Sequence, residues 1–176
     1  MLISAGDLKS RYEKFNKFND DLITRKLSVI ENIIREHTNN KFQNRLIRFS
    51  ASVEDGIIKG TSPYLKSLDT IEISDGVNKG LYTVIDLDEG IKTIEPLYDY
   101  PEQLITKIEY PINVIEGAID LLDWELIKQG KENSNIASES ISRHNVSYVQ
   151  RTKDNTIKGY PIELFDFCED YMRPRF

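Results

Sequence analysis

A chain of 176 residues with 39% hydrophobic and 30% charged residues has the material for one compact domain, with room for an insertion. Its net charge of −6 gathers into no basic stripe, which disfavours tight, phosphate-driven nucleic-acid binding. A single cysteine, Cys168, excludes an intramolecular disulfide framework and a cysteine-built zinc site.

The charge is spread unevenly. Residues 1–44 hold eight basic and six acidic side chains (net +2), residues 45–98 six and nine (−3), and residues 99–176 nine and fourteen (−5). The opening MLISAGDLKSRYEKF lacks the basic and apolar regions of a signal peptide, and no stretch approaches about 18 apolar residues. The expectation is a protein made and kept in a reducing cytoplasm.

Ser4 with Asp7 three residues on is a capping pattern and opens a first helix carrying Leu8, Tyr12 and Phe15. Asp20 and Asp21 supply a cap and dipole-matched acids for a second helix to about Thr38, where Thr38-Asn39-Asn40 ends it. Its apolar arc gathers Leu22, Ile23, Leu27, Ile30, Ile33 and Ile34. His37 lies on that arc and reads as a half-buried residue bonding a backbone group, since no second metal ligand is near it in sequence.

From about Arg45 the period changes to two. Leu46, Arg48 and Ser50 alternate with Ile47, Phe49 and Ala51. Short runs follow at 56–60, 70–73, 80–85 and 91–94, punctuated by Asp55-Gly56, Asp75-Gly76 and Glu89-Gly90. They predict a small antiparallel sheet or barrel whose ends, near Phe42 and Tyr98, return to helical sequence.

The organising element is then Pro111 to Gly130, a long amphipathic helix begun by proline and stopped by glycine. Ile112, Ile115, Ala118, Ile119, Leu122 and Leu126 form one apolar stripe, and Val114, Leu121 and Trp124 form a second. Glu116, Asp120 and Asp123 recur on the remaining face. Residues 131–138 are polar. Residues 141–149 read as extended, Asp154-Asn155 as a turn, and Gly159-Tyr160-Pro161 starts a short last helix anchored by Ile162, Leu164, Phe165, Cys168 and Tyr171. Cys168, set among apolar side chains, reads as a buried small hydrophobe. The fold class expected is α+β: a small helical bundle of two N-terminal helices, a long central helix and a short C-terminal helix, with an inserted small antiparallel β-domain. Residues 1–44 and 99–176 would form the helical domain and residues 45–98 the β-insertion.

No catalytic, metal or cofactor-binding residue is assigned. Gly76, Gly80 and Gly90 sit on strand boundaries rather than in a phosphate cradle. His37 and His144 fall in different elements with no spaced nucleophile, and Ser138, Ser140 and Ser142 lack an elbow glycine. Asp86, Asp88 and Glu89 lack the calcium-loop pattern. Glu116, Asp120 and Asp123 could hold a divalent cation only with ligands from a second element; a solvated or lumen-facing row is the simpler reading. The expectation is a non-enzymatic, oligomer-prone protein without a cofactor, its nine tyrosines and seven phenylalanines suiting burial against neighbours.

Three stretches carry a resemblance: DDLITRKLSVIENIIREHTNNKF, YPINVIEGAIDLLDWELIKQG, and IASESISRHNVSYV followed by GYPIELFDFCEDYMRPRF. Together they span about two fifths of the chain, and it resembles in them the head–tail connector (adaptor, or head-completion) proteins of long-tailed double-stranded DNA phages. Residues 45–98 depart from the compact helical members, whose link is shorter there.

The resemblance implies a virion protein, assembled in the host cytoplasm, forming a ring commonly of twelve subunits between portal and tail. Its partners would be the portal protein, the next neck or tail-joining protein and copies of itself, with a lone subunit able to stay monomeric until it meets the portal. Genomic DNA would pass through without sequence-specific binding, and no membrane is involved. In that setting Glu116, Asp120 and Asp123 are candidates to line the channel. Tyr171, Arg173, Pro174, Arg175 and Phe176 are candidates to dock the portal. The strand bearing Ile141, Arg143, Asn145, Ser147 and Val149 is a candidate for edge pairing between subunits. The alternatives are another neck component, such as a stopper or tail-joining protein, a small carboxylate-using hydrolase, or a non-viral peptide- or sugar-binding module.

Overall fold

The computed structural model describes residues 2–128, 138–141, 144–147 and 155–175. Helix α1 (Ala5–Arg11) begins where Ser4 accepts a bond from the Asp7 amide at 3.0 Å. A single 3-10 turn, Glu13–Phe15, drops Phe15 into the core. Helix α2 (Asp20–Thr38) is capped by Asn19, whose side chain accepts from the Asp21 amide at 2.8 Å; the two aspartates occupy the first turn instead of the cap. It stops at Asn39, which adopts a left-handed conformation (φ 50°) and returns its N–H to the last carbonyls.

Six strands follow: β1 (Gln43–Glu54), β2 (Ile57–Lys59), β3 (Thr70–Ile73), β4 (Gly80–Asp86), β5 (Lys92–Thr93) and β6 (Tyr100–Ile108). They form one antiparallel sheet in the order β2-β1-β6-β3-β4-β5. The sheet curls until its two edges meet at Ile58 and Ile91, which exchange backbone bonds of 3.0 and 3.1 Å. At that seam Gly90 has φ 122°, and a Cβ there would stand 2.7 Å from the Ile58 carbonyl oxygen. The result is a nearly closed barrel.

The expected helical bundle with a small inserted β-domain does not describe this molecule. The sheet runs past the expected insert, because β6, read as part of the return to helix, is its central strand and pairs with both β1 and β3. Pro101 lacks an N–H for a ladder, but it faces the register break between Ala51 and Val53, where no bond is needed. The barrel also has a core of its own, including Val53, Ile58, Ile71, Ile73, Val84, Ile91 and Ile105.

The helices bury a second core. Helix α3 (Ile112–Asp123) starts after Pro111 and loosens into a π turn over Trp124–Lys128, so it is shorter than the predicted 20-residue helix and shorter than α2. Val114, Ala118, Ile119, Leu121, Leu122 and Trp124 are buried, whereas Ile112 is 65% exposed. A 3-10 helix, Ile162–Tyr171, packs Phe165 and Cys168 inward at the three-residue spacing of that helix. Ile108 at the end of β6 belongs to this helical core, while Ile105 three residues earlier faces the barrel. One strand thus joins both cores. Two further ladders are short: β7 (Ser138–Ile141) with β8 (His144–Ser147), and β9 (Thr156–Ile157) with β10 (Tyr160–Pro161).

Candidate functional site

Where helix α2 meets the sheet, charged side chains are buried together. Strand β3 alternates, with Ile71 and Ile73 in the barrel core and Thr70 and Glu72 turned to α2. Glu72 is 7% exposed. It receives Lys41 Nζ at 3.2 Å, an Arg35 guanidinium nitrogen at 3.4 Å and a bond from Gln43 Nε2 at 2.8 Å. Arg35 also donates to the Lys41 carbonyl at 2.7 Å, which fixes the α2–β1 connection. One turn earlier, Tyr110 donates to Glu31 at 2.8 Å. Burial first, and then the Glu31 charge, raise the Tyr110 phenol well above its ordinary value. A cleft of about 560 Å³ opens beside this network, lined by Glu31, Arg35, Glu72, Lys79, Tyr82 and Glu95 among others. Its carboxylates are engaged: Glu31 by Tyr110, Glu72 by three donors, and Glu95 by the Thr83 amide at 2.9 Å. The arrangement clamps helices to barrel.

The acidic row of α3 separates. Glu116 is half-buried and accepts from the Tyr12 hydroxyl at 2.7 Å; Asp123 is buried and pairs with Lys14 at 2.8 Å; Asp120 is exposed. Two of the three therefore tie α3 to the α1 end of the chain. Glu116 and Asp120 also edge an open groove of about 500 Å³ between α3 and the C-terminal 3-10 helix, with Gly117, Leu164 and Phe167 beneath and the exposed Ile112 at its mouth.

The C-terminal residues lie along the end of α2. Asn40 Nδ2 donates to the Tyr171 carbonyl (3.2 Å), Arg173 N to the Thr38 carbonyl (2.8 Å) and Asn39 Nδ2 to the Pro174 carbonyl (2.9 Å). Arg175 donates its guanidinium to the Glu36 carbonyl at 2.8 Å, a cation at a helix C-terminus. Tyr171 also donates to Asn113 at 2.7 Å. Met172, Arg173, Pro174 and Arg175 are exposed. Phe176 lies outside the described residues. Of the candidate pairing strand, Ile141, Asn145 and Ser147 fall in the β7–β8 hairpin, and Arg143 and Val149 lie outside the described residues.

Sequence reading missed Glu72, Arg35, Glu31 and Tyr110 as a unit. The one available signal is a glutamate inside the four-residue strand Thr70-Ile71-Glu72-Ile73. Cys168 is buried as expected, and burial pushes its thiol up to about 12. His37 is half-buried, with its ring 5.2 Å from that of Phe165. Among the described residues no group of three or more His, Cys, Asp or Glu is placed to hold a metal ion, and no helix is long and apolar enough to cross a membrane. No family model matches the chain, and no curated protein matches it.

Proposed function

We propose that this chain is a structural virion protein that forms a ring between portal and tail, completing the head and extending the DNA channel. The observation that carries the reading is the C-terminal segment. Its backbone is held on α2 at Tyr171, Arg173 and Pro174, while Met172, Arg173, Pro174 and Arg175 stand exposed in a row. A short strip of fixed backbone with outward basic and apolar side chains is preorganised to dock on another protein, since little ordering entropy remains to be lost. Genomic DNA then passes without sequence-specific contact, past a protein whose overall charge is −6.

Truncation after Met172 removes both the side chains and the bonds to α2, so the sharper variant is Arg173→Glu. The Arg173 backbone bond to Thr38 is independent of the side chain, and the fold should be unaffected. Arg173→Glu should lose retention on portal rings while keeping the wild-type melting curve. Unchanged retention by both variants would defeat the docking role.

A second reading, a stopper or tail-joining subunit, is favoured by the six-stranded sheet, because such neck components are mainly β proteins. It predicts binding to tail-side proteins and none to the portal.

A further inference from the structure

Strand β1 breaks register with β6 between Asn44 and Arg48, whose partners Lys107 and Thr106 are adjacent, so Arg45, Leu46 and Ile47 bulge out of the ladder. The bulge is built: Asn44 accepts from the Leu46 amide at 3.1 Å and donates to Glu109 at 2.6 Å. It presents Leu46 at 94% exposure beside the exposed Arg45. A leucine held in that position by side-chain bonds is an apolar knob flanked by a cation.

Elsewhere the chain carries the complementary shape. The groove between α3 and the C-terminal 3-10 helix has an apolar floor in Leu164 and Phe167 and an exposed Ile112 at its mouth. Asp120 and Glu163 edge it, both exposed and neither in an ion pair among the described residues. The floor is close to the α3 backbone because Gly117 has no side chain and the Phe167 ring occupies that space.

We propose that the Arg45–Leu46 bulge of one copy seats in this groove of a second copy, Leu46 on Phe167 and Leu164, Arg45 against Asp120 and Glu163. Knob and groove are different surfaces, so the contact is heterologous and propagates from copy to copy, as closure of a ring requires. It deepens the ring reading above by naming the self-contact. The partner is a second copy because the same chain supplies both the apolar knob with its cation and the apolar groove with its unpaired carboxylates.

Cysteine cross-linking tests it on the full chain. Arg45→Cys and Asp120→Cys are made singly and together, leaving the Leu46 knob in place; Cys168 is buried and stays out of the reaction. Under mild oxidation the double variant should give a ladder of covalent oligomers beyond the dimer, and each single variant at most a dimer. Leu46→Asp, at a fully exposed position, should weaken self-association about tenfold or more without changing the melting curve. A double variant giving only monomer, only an internally cross-linked monomer or only dimer would overturn the proposal. Wild-type-like association of Leu46→Asp would do so as well. A ladder from a protein that ignores portal rings would keep the self-contact and defeat the connector reading; portal binding without a ladder would do the reverse.

Discussion

Replacing Gly117 by alanine should destabilise the protein, although the same change in an open helix position stabilises. In α3 an added Cβ gains about 1 kcal/mol in helix propensity over glycine. Here it would overlap Cδ1, Cε1 and Cγ of Phe167, the last at 2.5 Å. Because Cγ is at the base of the ring, rotating the far edge away gives no relief, and the 3-10 helix must shift as a body. Overpacking of this kind costs about 1–3 kcal/mol, and overlap with three ring atoms places it in the upper half of that range. The net effect is a loss of about 1–2 kcal/mol. Gly6 in α1 is the control, since its nearest neighbour for an added Cβ is Ser4 Oγ at 4.0 Å. Gly6→Ala should stabilise by about 0.5–1 kcal/mol. Urea denaturation of both variants reads the sign, and Gly117→Ala combined with Phe167→Ala should show coupling between the two positions. If Gly117→Ala raised stability as Gly6→Ala does, the tight α3 contact would be refuted.

Two more outcomes follow from buried charge. Glu72→Gln leaves the Arg35 guanidinium, 13% exposed, without its carboxylate and should cost about 3 kcal/mol in urea melts. Arg35→Met with Glu72→Leu should recover most of that, and a single variant as stable as wild type would show that the network is not a clamp. Burial, and then the Arg175 guanidinium, hold His37 below its ordinary 6.5. The unfolded chain therefore binds the proton more readily, and stability should fall as pH drops through about 6.5 and on toward the lower folded value. His37→Gln should flatten that slope; an unchanged slope would assign it to other groups.

Local signals were legible wherever local chemistry decides structure. Ser4, Asn39, Asp55-Gly56 and Pro111 mark ends and turns through their own backbone and side chains, and the elements around them stand close to where the pattern places them. What was not legible was set at long range. Tyr100–Ile108 contains Pro101, Glu102, Gln103 and Leu104, a composition as suited to helix as to strand. Only pairing with β1 and β3, more than 25 residues away on the nearer side, makes it the sheet centre. That one strand turns an expected insert into a nearly closed barrel. The acidic row of α3 has a helical period that says nothing about neighbours, and Tyr12 and Lys14, over 100 residues earlier, claim Glu116 and Asp123. Leu46 looked like one member of a strand alternation; the register break that exposes it depends on β6.

The proposed connector role is tested most directly by negative-stain electron microscopy of the full chain mixed with the portal rings that this reading assigns to it. A ring layer should be added to the narrow end of the portal, with subunit number read from its symmetry. A folded protein that adds no layer at saturating concentration would contradict it.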